Sequence, residues 1–113
     1  MSQAFAPFGP TIVIPADATA PTGVQAVLSG VSKTKSCSEY LVTNPSTLMV
    51  HLGWGSSAAV ATANAVAAVA GTPANSLPIM PSSSQILRFG IETYFSGLSS
   101  AANSIYITPG EGL

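Results

Sequence analysis

The sequence predicts an all-β domain: a small antiparallel β-sandwich or barrel of six to eight short strands, with a long alanine-rich loop over residues 56–71. Three observations predict it. Short runs of β-branched, aromatic and aliphatic residues recur at about ten-residue spacing, with turn signals between them. The longest run, Leu48 to Trp54, alternates with the two-residue period of a strand. A chain of 113 residues is long enough to bury one core and too short for two.

Residues 1–10, MSQAFAPFGP, read as an extended N-terminal arm, and residues 11–113 as the single domain. Pro7, Gly9 and Pro10 oppose regular structure, while Phe5 and Phe8 need apolar surface to cover them. An arm that lays both rings on a neighbour, or on its own domain, satisfies both demands. Thr11 to Ile14 is a β-branched run ended by Pro15, as in a short edge strand. Asp17 to Gly23 is a loop, and Val24, Ala26 and Leu28 mark one face of a half-buried strand that stops at Gly30. Ser32 to Ser38 is a polar, solvated turn.

Glu39 to Thr43 is the next strand, closed by Asn44-Pro45-Ser46, whose proline presets φ while its polar neighbours bond the local backbone. A short turn between two apolar runs predicts a hairpin with the strand that follows. In that strand Leu48, Val50, Leu52 and Trp54 share the core face, and Met49 and His51 point the other way. After Gly55 the chain turns to alanine, serine and valine without a charge. Ser56 or Ser57 could cap a helix there and Gly71 with Pro73 could stop one. Yet Val60, Val66 and Val69 form neither a helical stripe nor a strand alternation, and a helix of about 13 residues is marginal without a packed face. The expectation for residues 58–70 is therefore an irregular or extended excursion, with small side chains suited to a seam between subunits.

Leu77 to Pro81 is an extended segment bracketed by proline, Ser82 to Ser84 a turn, and Gln85 to Phe89 a strand broken by Gly90. Thr93 to Leu98 and Ser104 to Thr108 flank a Ser/Ala/Asn turn and predict a second hairpin. Pro109 to Leu113 is too rich in Gly and Pro for regular structure.

Composition narrows the function classes. Hydrophobic residues make up 47% of the chain, but charged residues only 6%, far below the usual quarter. With a formal net charge of −1, little repulsion keeps copies apart, which favours association. Lys33, Lys35 and Arg88 are the only cations, too few for a nucleic-acid footprint or for docking on an anionic membrane. Ala58 to Ala70 is too short and too rich in alanine to span a bilayer, and no basic segment precedes an apolar core as in a secretory signal. Single Cys37 and single His51 argue against a disulfide framework and a zinc site.

Catalytic motifs are equally scarce. No Gly-x-Ser-x-Gly elbow or phosphate-binding Gly-Lys-Ser/Thr loop occurs, and Gly53-Trp54-Gly55 lacks both the third glycine and the βαβ context of a dinucleotide site. Asp17, Glu39, Glu92 and Glu111 are scattered singly, and His51 has no acidic neighbour in sequence. No enzyme activity, cofactor or metal is expected. Tyr40, Trp54, Tyr94 and Tyr106 could instead build a stacking surface for a glycan, the alternative of a different class, although their alternation favours packing. Trp54, flanked by glycines at a strand end, is the best single anchor. The candidate interface residues are Phe5, Phe8, Trp54, Val60, Val66 and Val69.

Over residues 38–113 the chain resembles small structural proteins of tailed bacteriophage particles. The likeness is carried by Tyr40-Leu-Val-Thr-Asn44, the strand into Gly53-Trp-Gly55 and the Ala/Val run after it. Leu77-Pro-Ile-Met-Pro81 and the ending Ile105-Tyr-Ile-Thr-Pro-Gly-Glu-Gly-Leu113 complete it. The resemblance implies a head decoration, or cement, protein on the outer capsid surface, made in the host cytoplasm. Its implied partners are the major capsid protein and copies of itself, often as trimers. A tail or head–tail connector protein is the runner-up. The family supplies no catalytic residues.

Overall fold

The computed structural model describes residues 6–7, 11–25, 39–67, 69–89 and 93–111. Phe5, Phe8, Cys37 and both lysines lie outside these, as do the end of the strand expected over 24–28 and the turn expected over 32–38. The fold is all-β, as the sequence predicts. Among the described residues, nine strands and one short helix follow in the order β1 (Ala6–Pro7), β2 (Ile12–Asp17), β3 (Val24–Gln25), β4 (Glu39–Asn44), β5 (Val50–Gly55), α1 (Ala58–Asn64), β6 (Leu77–Ile79), β7 (Ser83–Arg88), β8 (Tyr94–Leu98) and β9 (Asn103–Glu111).

The strands make one nearly closed, barrel-like sheet in the order β6-β5-β8-β2-β9-β4-β7, with β1 added to β9 and β3 to β8. It is easiest to picture as two layers, β2-β9-β4-β7 and β6-β5-β8. Strand β2 belongs to both: Ile12 to Ala16 pair antiparallel with β9, and Ala16 and Asp17 pair parallel with Gly97 and Leu98 of β8. A strand that changes layers in this way makes the corner of a sandwich. Among the described strands that parallel pair is the one departure from an antiparallel sheet.

Alternation decides what is inside. Ile14 and Ala16 of β2, Tyr40 and Val42 of β4, Val50 and Leu52 of β5, Phe95 of β8, and Ile105 and Ile107 of β9 are all buried, with Ile79 from β6. The core face expected of β5 is therefore the observed one, with Trp54 packed half-buried at its end. There Tyr40, Trp54, Phe89 and Phe95 form a ring cluster, with centroids 5.1–5.8 Å apart in tilted or edge-to-face pairs.

Neither expected hairpin forms. Strand β4 pairs with β7 and β9, β5 with β6 and β8, and β2 lies between β8 and β9. The turns at 45–49 and 99–102 are arches that carry the chain from one layer to the other, and so is the turn at 80–82. All three meet at Ser46. Its Oγ accepts from Asn103 Nδ2 (2.7 Å) and from the Leu48 N–H (3.2 Å), and its carbonyl accepts from the Ser82 N–H (3.1 Å). Asn44, fully buried, pins the first arch. Its Nδ2 donates to the carbonyls of Leu48 (2.8 Å) and Ile79 (3.3 Å), while its Oδ1 accepts from the N–H (3.1 Å) and hydroxyl (2.8 Å) of Ser46. The Asn-Pro-Ser chemistry is thus local, as expected, but it closes an arch.

Two proline positions also differ from expectation. Strand β2 continues through Pro15, because on one side it is unpaired until Ala16 and no ladder bond needs the missing N–H. Strand β9 likewise runs through Pro109 to Glu111. It does so where its ladder with β2 has ended at Ile107 and that with β1 resumes at Gly110, while β4 continues on the other side.

Candidate functional site

The segment after Gly55 is where the fold turns outward. Seven residues, Ala58 to Asn64, are helical, which corrects the expected excursion; residues 65–67 and 69–76 carry no helix or strand beyond a Val69–Thr72 bridge. The packed face that sequence periodicity lacks is supplied by glycine. A Cβ on Gly53 would lie 2.3 Å from Ala65 N and 2.4 Å from the Ala61 carbonyl, and one on Gly55 would lie 2.3 Å from Val60 Cγ1. Helix α1 therefore sits on bare backbone of β5, with Ala61 buried beneath it. Ser57 caps it, accepting from the Val60 N–H at 3.3 Å. Thr62 Oγ1 donates to the Pro21 carbonyl (2.9 Å) and accepts from the Gly23 N–H (3.1 Å), and Asn64 Nδ2 donates to the Trp54 carbonyl (3.1 Å). The helix is pinned from both sides.

With its inner face used this way, the segment shows its valines to solvent. Val60, Val66 and Val69 are exposed, Val69 at 64%. Trp54 is not among them: its ring is half-buried against Phe89, 5.1 Å between centroids, so it anchors the core instead of the surface. Phe5 and Phe8 lie outside the described residues, although Ala6 and Pro7 between them pair with Glu111 and Gly110 of their own chain.

The opposite layer carries a second apolar surface that the sequence reading missed. Val13, Tyr106 and Thr43 face one another across β2, β9 and β4, all outside the core, and Val13 is 53% exposed. Leu41, Thr108 and Ile86 form the adjoining row. Alternation was the available signal, since Val13 and Tyr106 each adjoin a residue destined for the core. Among the described residues the only ion pair there is Arg88 to Glu39, 2.7 Å, at the layer's margin.

His51 points away from the core, as expected, into an open depression of about 450 Å3 with Met49, Ala67 and Leu98. Its Nδ1 is buried without a hydrogen-bond partner. Asp17 lies in the same row of the sheet but with Leu98 between, so two strand spacings, about 9.5 Å, separate acid from imidazole. The Asp17 carboxylate instead accepts from the Ala18 N–H at 2.7 Å. No cluster of three His, Cys, Asp or Glu capable of holding a metal occurs among the described residues. The aromatics do not converge on one surface: Tyr40 is buried, Trp54 packs on Phe89 and Tyr106 lies on the far layer. No described helix is long and apolar enough to cross a membrane.

No family model matches the chain, and searches of curated proteins and of solved structures found no similar one.

Proposed function

We propose that this chain is a structural protein of a bacteriophage particle, a head decoration protein that binds the outer capsid surface and braces major capsid subunits against one another. The observation that carries the reading is a nearly uncharged surface bearing exposed apolar side chains on both layers. Val60, Val66 and Val69 lie on the α1 side, and Val13 and Tyr106 on the other. Two such faces let one copy touch a shell and a neighbouring copy at once. Many weak contacts repeated over a lattice sum to firm attachment. The resemblance over residues 38–113 points the same way, toward trimers on the capsid exterior of a particle assembled in the host cytoplasm. A tail or connector protein would use similar faces, and the test separates the two. Purified chain is mixed with isolated heads and isolated tails and the bound fraction is imaged by cryo-electron microscopy. Regular density on heads is the expected result; density confined to tails or necks would overturn the decoration reading.

A further inference from the structure

The sheet has open edges, and they are not alike. Strand β6 is three residues long with Pro78 at its centre, and the free side of β2 contains Pro15. Strand β1 is two residues long and includes Pro7; β3 is equally short. Short edges and prolines are the usual protection against unwanted strand pairing. Strand β7 has neither. Its six residues, Ser83 to Arg88, all pair with β4 on one side, and among the described residues the sheet ends there. Ser84, Gln85 and Arg88 are exposed and no residue of the strand is buried. It has no proline, lysine or acidic residue, and its one charge, Arg88, is at the end.

We infer that β7 is a pairing edge whose occupant is β7 of a second copy, antiparallel about a two-fold axis. Register follows from the side chains. Centred on Ile86, the pairing sets Ile86 against the partner's Ile86 on the outer face, Ser84 against the partner's Arg88, and Gln85 against the partner's Leu87. This keeps the two arginines apart, leaves each Arg88–Glu39 pair within its own chain, and joins the strand's large outward apolar side chains, a favourable cross-strand arrangement. A net charge of −1 per copy adds little repulsion. One six-residue edge covers less than the roughly 1,000 Å2 of a stable interface, so the dimer is weak, with Kd on the order of 100 µM. This goes beyond the virion reading, because the edge pairs in solution without a shell; on a shell it would link copies across two-fold positions.

The test is sedimentation velocity on the full chain up to roughly 1 mM, several times the expected Kd. Wild type should dimerise reversibly. Ile86→Lys and Ile86→Glu should each weaken association at least tenfold by opposing like charges, and an equimolar mixture should restore it. Wild type that stays monomeric overturns the inference, as does a dimer that both variants keep or one that the mixture fails to restore. Should an Ile86 variant melt below wild type, Ser84→Lys serves in its place. Ser84 is exposed, and its lysine would face the partner's Arg88 and should weaken the dimer by the same factor; an unchanged dimer there counts against the register.

Discussion

At the scale of single residues, the fold depends on side chains that a hydropathy reading passes over. Asn44 is fully buried, yet its amide answers four groups around the first arch, and no other described side chain serves both Leu48 and Ile79. Asn44→Ala should lower unfolding free energy by about 2–4 kcal/mol, since it removes four bonds and takes a donor from the buried Ile79 carbonyl, while Leu48 keeps the Ser46 hydroxyl. Urea titration reads this directly, and a loss below about 0.5 kcal/mol, the level of an ordinary surface change, would mean the arch is held some other way. Gly53 makes the complementary case, where the residue matters for what it lacks. An alanine there drives its Cβ into the backbone at Ala61 and Ala65, which no side-chain rotation relieves. Gly53→Ala should cost about 1–3 kcal/mol and dislodge α1, seen as loss of hydrogen-exchange protection at Ala61 and Ala65. Protection that survives the substitution would refute the account of how the helix is seated.

At the scale of elements, the strands were legible in the sequence and their partners were not. Residues 39–44 and 50–55 alternate because one face of each meets the core, and alternation is a local property. Whether a short turn reverses a strand within one layer or carries it to the other is not local. It depends on where Asn103, Ser82 and Ile79 arrive to bond Ser46 and Asn44, and these lie 35 to 57 residues from their partners. The helix was hidden for a related reason. Its packed face is made by Gly23, Gly53 and Gly55, so alanines suffice and no apolar stripe marks the sequence. The surface sites were half legible: Val60, Val66 and Val69 followed from an uncharged run, whereas Val13 and Tyr106 needed the register of β2 on β9. Such a topology has a kinetic consequence. Among the described strands only β5 and β6 are adjacent in both sequence and sheet, and α1 lies between them. With no tight hairpin to nucleate pairing, refolding should take milliseconds to seconds, as in sandwiches dominated by distant contacts. Stopped-flow Trp54 fluorescence measures it, and relaxation in microseconds would contradict the strand order.

At the scale of the whole molecule, stability and attachment are assigned to different residues, which makes them separable. The core of Ile14, Tyr40, Val42, Val50, Leu52, Phe95, Ile105 and Ile107 is closed within one chain and needs no partner to bury it. Val60, Val66 and Val69 contribute little to that core because they are exposed in the single chain. The net charge of −1 means that even one added acid is a large proportional change to this surface. Val69→Asp, at the most exposed of the three, should therefore shift unfolding free energy by no more than about 0.5 kcal/mol, as for surface substitutions generally. Val50→Asp buries the same charge in the core and should prevent folding. If the α1 side is the face that meets the shell, Val69→Asp should release the chain from isolated heads with its melting temperature unchanged, and the loss should grow when Val66→Asp is added. Multivalent attachment makes this steep, since a small weakening at each contact multiplies over every copy in a cooperative array. Retention of the doubly charged variant at wild-type occupancy would move the shell-binding face to Val13 and Tyr106, where Val13→Asp is the corresponding probe.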